Sequence, residues 1–257
     1  DNVTALVASP NADDFNTHVL PAMQAFGGVD YTVTADLGAL TIAGMLEYDV
    51  VLTFNVTKWD VETGTTAIAW SNKLGEFITA GGYLVEAQFV NGYDAWGLGS
   101  GTYITGGMSP FNKSTKDQPT ESFVLGEVLI PDHPIMSGVT TFTTNYFVQD
   151  VTVREDATLI AKWGNTTTDP LVAVYDNIVA FNADPIFSDG SAQGPGMGGD
   201  GYKMLHNAIV WLYNNQVNPV APAAPTALTV TPEPVGVVGA NITWTNPDET
   251  FAGDPLT

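Results

Sequence analysis

Apolar positions in the first 87 residues follow two alternating periods. Val3-Thr4-Ala5-Leu6-Val7-Ala8 is a short apolar run, the pattern of a strand buried on both faces of a parallel sheet. Ser9-Pro10-Asn11-Ala12-Asp13-Asp14 reads as a turn that offers Asn or Asp as a helix N-cap. Phe15, Val19, Met23 and Phe26 follow at helical spacing, and Gly27-Gly28 ends the run. The alternation then predicts a strand over 31–34, a short helix over 40–46 and a strand over 49–54. Ile68, Leu74, Phe77 and Ile78 mark a longer helix closed by Gly81-Gly82, and a fourth strand follows over 83–87. Strand–helix alternation of this kind implies right-handed crossovers and an α/β fold, with a mostly parallel sheet and helices on both faces.

From about 90 to 175 the character changes. Gly, Thr and Pro become frequent, and short β-like runs occur over 122–129, 140–144 and 157–161. This stretch reads as a β-rich insertion or an extended sheet edge. Residues 178–181 read as a return strand, 189–201 as a Gly-rich loop, and 201–215 as a last helix with Met204, Leu205, Ala208, Ile209 and Leu212 on its core face. Three prolines within 218–225 predict a stiff linker, so the large domain is placed at 1–217 and a separate segment at 226–257.

Charge narrows the partners. With 28 acidic and 7 basic residues the chain carries −21, which repels phosphate backbones and argues against nucleic acid. It argues equally against adhesion to anionic lipid, and no run is apolar and long enough for a membrane span. Cysteine is absent, which removes thiol nucleophiles, disulfides and thiolate metal sites. There is no charged-then-apolar leader, so any export signal would already be removed; the lack of cysteine is compatible with export, and an extracellular location is expected. Sequons at Asn2, Asn55, Asn112, Asn165 and Asn241 are candidate glycosylation sites.

Three motifs stand in order: Gly81-Gly82-Tyr83-Leu84-Val85-Glu86-Ala87, Asp132-His133-Pro134-Ile135-Met136-Ser137-Gly138-Val139, and residues 199–211, which begin Gly-Asp-Gly-Tyr-Lys-Met. Together they resemble the glutamine-amidotransferase-like, flavodoxin-like superfamily, particularly its trehalose-utilisation-type and secreted variants. The resemblance covers about 1–215 and implies a flavodoxin-like sheet. Those variants occur as accessory domains of modular exported proteins, peptidases among them. Active members place a Cys on the sharp turn after the fourth strand, with a His downstream. Here that turn reads Ala87-Gln88-Phe89, so the chemistry does not carry over; Gln88 is no nucleophile. In the tail, the runs 225–232 and 240–245, with Trp244 and Asn246-Pro247-Asp248, resemble the first two strands of a fibronectin type III module, which suggests the start of a module cut short.

Candidate chemistry is thin. There is no G-x-S-x-G, and His18, His133 and His206 read as surface or loop-fixing residues. Ligands of open α/β sheets bind beyond the C-terminal strand ends. A ligand site is therefore expected from Asp13, Asp14, Glu86, Gln88, Tyr93, Asp94 and Trp96, with Trp96 beside Tyr93 and Asp94 as a sugar-stacking candidate. Asp189 and Asp200 lie in oxygen-rich turns and are candidate ligands of Ca²⁺, the one cofactor considered, although the spacing of an EF-hand is missing. The residues of Gly97-Leu98-Gly99-Ser100-Gly101 lack the Lys of a phosphate loop and read as a flexible loop. The expected role is a non-catalytic accessory or interaction domain of an exported modular protein. Its partners would be other domains of the parent chain or another protein copy. The alternatives are a carbohydrate-binding or carboxylate-dependent hydrolytic domain, or a structural unit of a surface layer or filament.

Overall fold

The computed structural model describes residues 2–56, 59, 66–92, 96–115, 123–144, 146–164, 169–188, 193–217, 226–232 and 240–245. The chain divides into two compact units, Asp1–Tyr213 and Asn214–Thr257.

The first run forms β1 (Val3–Ala8), and α1 (Ala12–His18) and α2 (Leu20–Gln24) follow it. Instead of one continuous helix, the stripe is interrupted at Val19, just before Pro21, whose ring nitrogen has no hydrogen to donate. Phe15, Val19 and Met23 are buried, whereas Phe26 is 43% exposed and lies against the His206 ring. Next come β2 (Val29–Thr34), α3 (Ile42–Met45), β3 (Val50–Thr53), α4 (Ala67–Thr79) and β4 (Leu84–Glu86). The core face of α4 is Ala67, Trp70, Ser71, Leu74 and Phe77; Ile68, expected inside, is 49% exposed. The chain continues through α5 (Thr102–Thr105), β5 (Phe111–Asn112), β6 (Phe123–Val128), β7 (Phe142–Thr144), β8 (Thr152–Val153), β9 (Thr158–Trp163), β10 (Pro170–Tyr175) and β11 (Ile178–Phe181). It closes with β12 (Ile186–Ser188), β13 (Gln193–Pro195), β14 (Met197–Gly199) and α6 (Gly201–Val217).

One ten-stranded sheet runs β14-β7-β6-β9-β10-β11-β4-β3-β1-β2. From β2 to β11 every pairing is parallel, in the flavodoxin order, with β11 as fifth strand. Beyond β11 the pairings are antiparallel, so the β-rich stretch is an extended edge of the same sheet. The strand period of two divides the core. Val3, Ala5, Val7, Leu52 and Val85 face one apolar cluster with Phe15, Met23, Leu205 and Ile209. Leu6, Ala8, Val51 and Leu84 face the other, with Met45, Trp70, Leu74 and Phe77.

Part of the expected Gly-rich loop is strand. A Cβ on Gly196 would stand 2.4 Å from the Asp184 and Ile186 carbonyl oxygens, and one on Gly198 would stand 2.4 Å from Thr143 Oγ1. Glycine here permits backbone contact at the sheet edge. The glycines near 97 are packed too: a Cβ on Gly101 would stand 2.3 Å from Ser71 Cβ. In the second unit, β15 (Thr226–Pro232) and β16 (Ala240–Thr245) pair antiparallel.

Two of the sequence motifs meet. His133 Nδ1 accepts from the Ile135 N–H and caps a 3₁₀ turn at Pro134–Met136, and its ring lies 4.9 Å from that of Trp211. Asn207 Nδ2 donates to the Ile135 and Ser137 carbonyls. Asp200, directly before α6, accepts through Oδ2 from the N–H groups of Thr140 and Thr141 at 2.8 and 2.9 Å and from both hydroxyls. These residues fasten the 133–141 loop to α6.

Candidate ligand-binding site

Four neighbouring parallel strands, β1, β3, β4 and β11, each end in buried polar side chains: Ser9 and Asn11, Thr53 and Asn55, Glu86 and Gln88, Asn182 and Asp184. A parallel strand buried on both faces is apolar until it reaches this end, where the chain turns toward a helix. Asn11 does not cap α1 with its side chain; its Oδ1 accepts from the Val56 N–H at 3.0 Å and ties the ends of β1 and β3 together. Thr53 donates to the Ala8 carbonyl and accepts from Trp70 Nε1.

Gln88 stands where β4 ends. Its backbone is held from both sides: its N–H donates to the Ala183 carbonyl and its carbonyl accepts from the Asn55 N–H. Its side-chain amide is buried with no hydrogen-bond partner on either atom. Asp184, one residue past Ala183, is fully buried, and neither carboxyl oxygen has a partner. Burial pushes the Asp184 carboxyl well above its ordinary range and so favours its neutral, proton-donating form. Aromatic rings gather beside Gln88. Phe89 lies 5.5 Å from Trp96, 6.3 Å from Tyr146 and 6.3 Å from Phe147, and Tyr146 lies 6.1 Å from Phe187.

Glu86 has a different setting. It is 1% exposed. Its Oε1 accepts from Ser109 Oγ at 2.5 Å and Asn91 Nδ2 at 2.7 Å, and its Oε2 accepts from the Tyr103 hydroxyl at 2.6 Å. Ser109 Oγ in turn accepts from Asn91 Nδ2 and the Phe111 N–H. Burial pushes Glu86 up to about 7, against the pull of the Ser109, Tyr103 and Asn91 donors. A carboxylate enclosed by three protein donors fixes a loop and has no oxygen turned toward a substrate.

The expected convergence of carboxylates is corrected in part. Asp13 is exposed and Asp14 half-buried in the first turn of α1. The Asp14 carboxyl is raised by partial burial and interacts with His18 and Asp13, not with Glu86. Tyr93 and Asp94 lie outside the described residues, and Trp96 is half-buried against Phe89. Asp189 also lies outside them. Four donors converge on Asp200 Oδ2, hold the carboxyl down to about 2 and commit that oxygen to the 140–141 backbone. Among the described residues no group of three or more His, Asp or Glu is placed to hold a metal. Asn55 is fully buried, so its amide is closed to glycosylation in the folded chain. Asn2 bonds Asp30 and Asn112 bonds Thr152 at the surface; Asn241 lies in β16, and Asn165 lies outside the described residues.

Asn91, Tyr103, Ser109 and Asp184 escaped the sequence reading, and Asn11 entered it only as a possible helix cap. A cue precedes Asp184 and recurs at the neighbouring strands: an apolar run followed within two or three residues by an amide or acid, as in Phe54-Asn55, Ala87-Gln88 and Phe181-Asn182-Ala183-Asp184.

No protein-family model matches the sequence, and no curated protein matches it. Solved structures do share the fold. A ThuA-like protein from Bacteroides uniformis superposes with a TM-score of 0.56 at 14% identity, over 82% of this chain and 91% of that one. Two proteins from Salmonella typhimurium superpose with TM-scores of 0.58 and 0.52 at 12% and 13% identity, covering 84% and 83% of this chain and 99% and 98% of theirs. Both are described as cytoplasmic proteins, which corrects the expected extracellular location by pointing away from it. The chain therefore carries the ThuA-like, glutamine-amidotransferase-like fold, with an amide at the end of its central strand β4.

Proposed function

We propose that the large unit is a non-catalytic binding or interaction domain on an amidotransferase-like scaffold. The observation that carries this reading is Gln88, a buried, unpartnered amide at the turn where active proteins of the resembled superfamily place a nucleophile. Glu86, the nearest acid on the same strand, is committed to three hydrogen bonds. An amide and a neutral carboxyl can hold a ligand by hydrogen bonding, but neither Gln88 nor Asp184 supplies an activated nucleophile. The paired β15 and β16 support reading residues 226–257 as the opening strands of a fibronectin type III-like module, joined through a Pro-rich linker at 218–225.

A second reading, carbohydrate binding, is favoured by one feature: Trp96 is half-buried in an aromatic group beside the Gln88 amide, and rings with polar neighbours suit a sugar face. The experiment pairs two measurements on the full chain. Amidase, esterase and peptidase assays are expected to show no turnover above a heat-inactivated control. Chemical shifts in a mono- and disaccharide panel are expected to move at Gln88, Asp184 or Trp96 if the sugar reading holds. Turnover abolished by Gln88→Ala or Glu86→Gln would refute the non-catalytic reading.

A further inference from the structure

β2 is the last strand of the large sheet. Its inner side pairs with β1 along its whole length, Val3 with Val29 through Ala8 with Thr34, without a bulge. Among the described residues no strand pairs with its outer side. The Gly28 and Thr34 carbonyls accept from the N–H groups of Val3 and Ser9. By the alternation of a strand, the backbone groups of Asp30 and Thr32 also turn inward, and those of Val29, Tyr31 and Val33 turn outward. Side chains divide the same way. Val29, Tyr31 and Val33 pack toward the apolar cluster of Phe15 and Leu205, whereas Asp30 and Thr32 stand exposed on the opposite face.

An open edge is a hazard that proteins usually blunt with Lys, Pro, a bulge or a very short strand. The far end of the sheet is blunted in this way, since β14 is only three residues long. β2 has none of these devices: it runs for six residues with no Pro and no Lys, and its one charge, Asp30, accepts from Asn2 Nδ2 at 3.1 Å. Beside it stands Phe26, 43% exposed. The Phe26 ring lies 5.2 Å from that of His206, and His206 Nδ1 lies 3.2 Å from the Tyr31 hydroxyl.

The strand's own sequence identifies the partner that fits. Val29-Asp30-Tyr31-Thr32-Val33 reads almost alike in both directions. We propose that β2 pairs with β2 of a second copy of this chain, antiparallel about a two-fold axis at Tyr31, so that the sheet runs on from one protomer into the other. In that register Val29 stands opposite Val33, and Tyr31 opposite its own copy. These are hydrogen-bonded positions, so each outward N–H meets an outward carbonyl. Asp30 stands opposite Thr32 at the closer, non-hydrogen-bonded positions, where the hydroxyl donates to the carboxylate and no like charges meet. The same axis brings the Tyr31, His206 and Phe26 groups of both copies together on one face and covers apolar surface there. The charge of −21 on each copy opposes association. At physiological salt that repulsion is screened beyond about 8 Å, and the strand itself carries only Asp30. The inference goes beyond the binding reading and does not depend on Gln88 or Asp184.

The test is sedimentation velocity on the full chain over a range of protein and salt concentrations, with two exposed threonines exchanged: Thr32, and Thr158 on β9 as the control. The wild type should show a monomer–dimer equilibrium that tightens with added salt. Symmetry makes each exchange at Thr32 act twice. Thr32→Lys, facing Asp30, should tighten the dimer on the order of fivefold, and Thr32→Asp should loosen it by a similar factor. The same exchanges at Thr158 should change it by under about twofold. Hydrogen exchange on the wild type gives a second reading that needs no variant. The Val29, Tyr31 and Val33 amides should gain protection as concentration rises, while Leu52 in β3 stays level. A chain that stays monomeric throughout, a dimer whose outward β2 amides stay unprotected, or one that answers Thr32 and Thr158 alike overturns the proposal.

Discussion

Asn182 joins the parallel half of the sheet to its antiparallel extension, and Asn182→Ala should unfasten the two. The side chain is 3% exposed. Its Oδ1 accepts from the Gln149 N–H at 2.8 Å, and its Nδ2 donates to the Gln149 and Pro170 carbonyls at 2.9 and 3.1 Å. Its own carbonyl accepts from Trp163 Nε1 at 3.1 Å. The substitution deletes three side-chain bonds in a region sealed from water and keeps the backbone ones. A typical bond contributes about 1 kcal/mol net, and a buried group that loses its partner costs about 1–3 kcal/mol. Partial relaxation keeps the total below a simple sum, so a loss of about 3–5 kcal/mol is expected. Urea unfolding followed by tryptophan fluorescence is the assay, since Trp163 sits on the joint and reports its opening. A shift of under about 1 kcal/mol, at unchanged dependence on urea, would show that water replaces the amide without cost and that Asn182 is no joint.

Three further outcomes follow from the same geometry. Asp184→Asn should be more stable than the wild type at pH 8 by at least about 1 kcal/mol, because an unpartnered acid is removed from the core. The folded-state affinity of Asp184 for its proton is raised, so its contribution is fully present below its unfolded value of 3.8 and is lost as pH rises; the variant's advantage should shrink on acidification, and an advantage that grew instead would contradict the account. Gly82→Ala places a methyl 2.2 Å from two ring carbons of fully buried Phe77 and should cost about 1–3 kcal/mol, seen as a lower Tm; an unchanged Tm would mean that the ring yields freely. Asp200→Ala should cost about 1–2 kcal/mol at neutral pH by freeing the 140–141 backbone from the start of α6. The Asp200 carboxyl is held down to about 2, so its contribution is present above 3.8 and lost as pH falls toward 2, where wild type and variant should converge in denaturant titrations.

The parallel half of the fold could be read from the sequence because its strands, except the edge strand β2, are short apolar runs separated by helical periodicity, and periodicity is a local property. The antiparallel half could not be ordered in advance. Nothing local in 123–128 says that it lies between β7 and β9, since that order is set by packing between distant segments. Ile68 and Phe26 show the limit of helical stripes: both fit the period, yet they face solvent because Trp70 and Met23 already fill the core beside them. For the site, the expectation of ligands beyond the strand ends drew attention to Glu86 and Gln88 but could not tell them apart. One is enclosed by donors from Asn91, Tyr103 and Ser109, and the side-chain amide of the other has no partner; both conditions are created by residues brought in from elsewhere in the chain.

The pairing of β4 with β11 has a consequence for synthesis. Leu84 meets Ile178, 94 positions later, and everything between them must leave the ribosome before the central strand gains its second neighbour. Until then β1, β2, β3 and β4 can assemble as a four-stranded intermediate whose β4 edge, Leu84 to Glu86, is uncovered. Such an edge is a template for pairing with another chain. Long-range parallel pairing is also slow, because loop closure precedes the contacts that reward it. Nascent chains stalled before residue 178 should therefore be the aggregation-prone species.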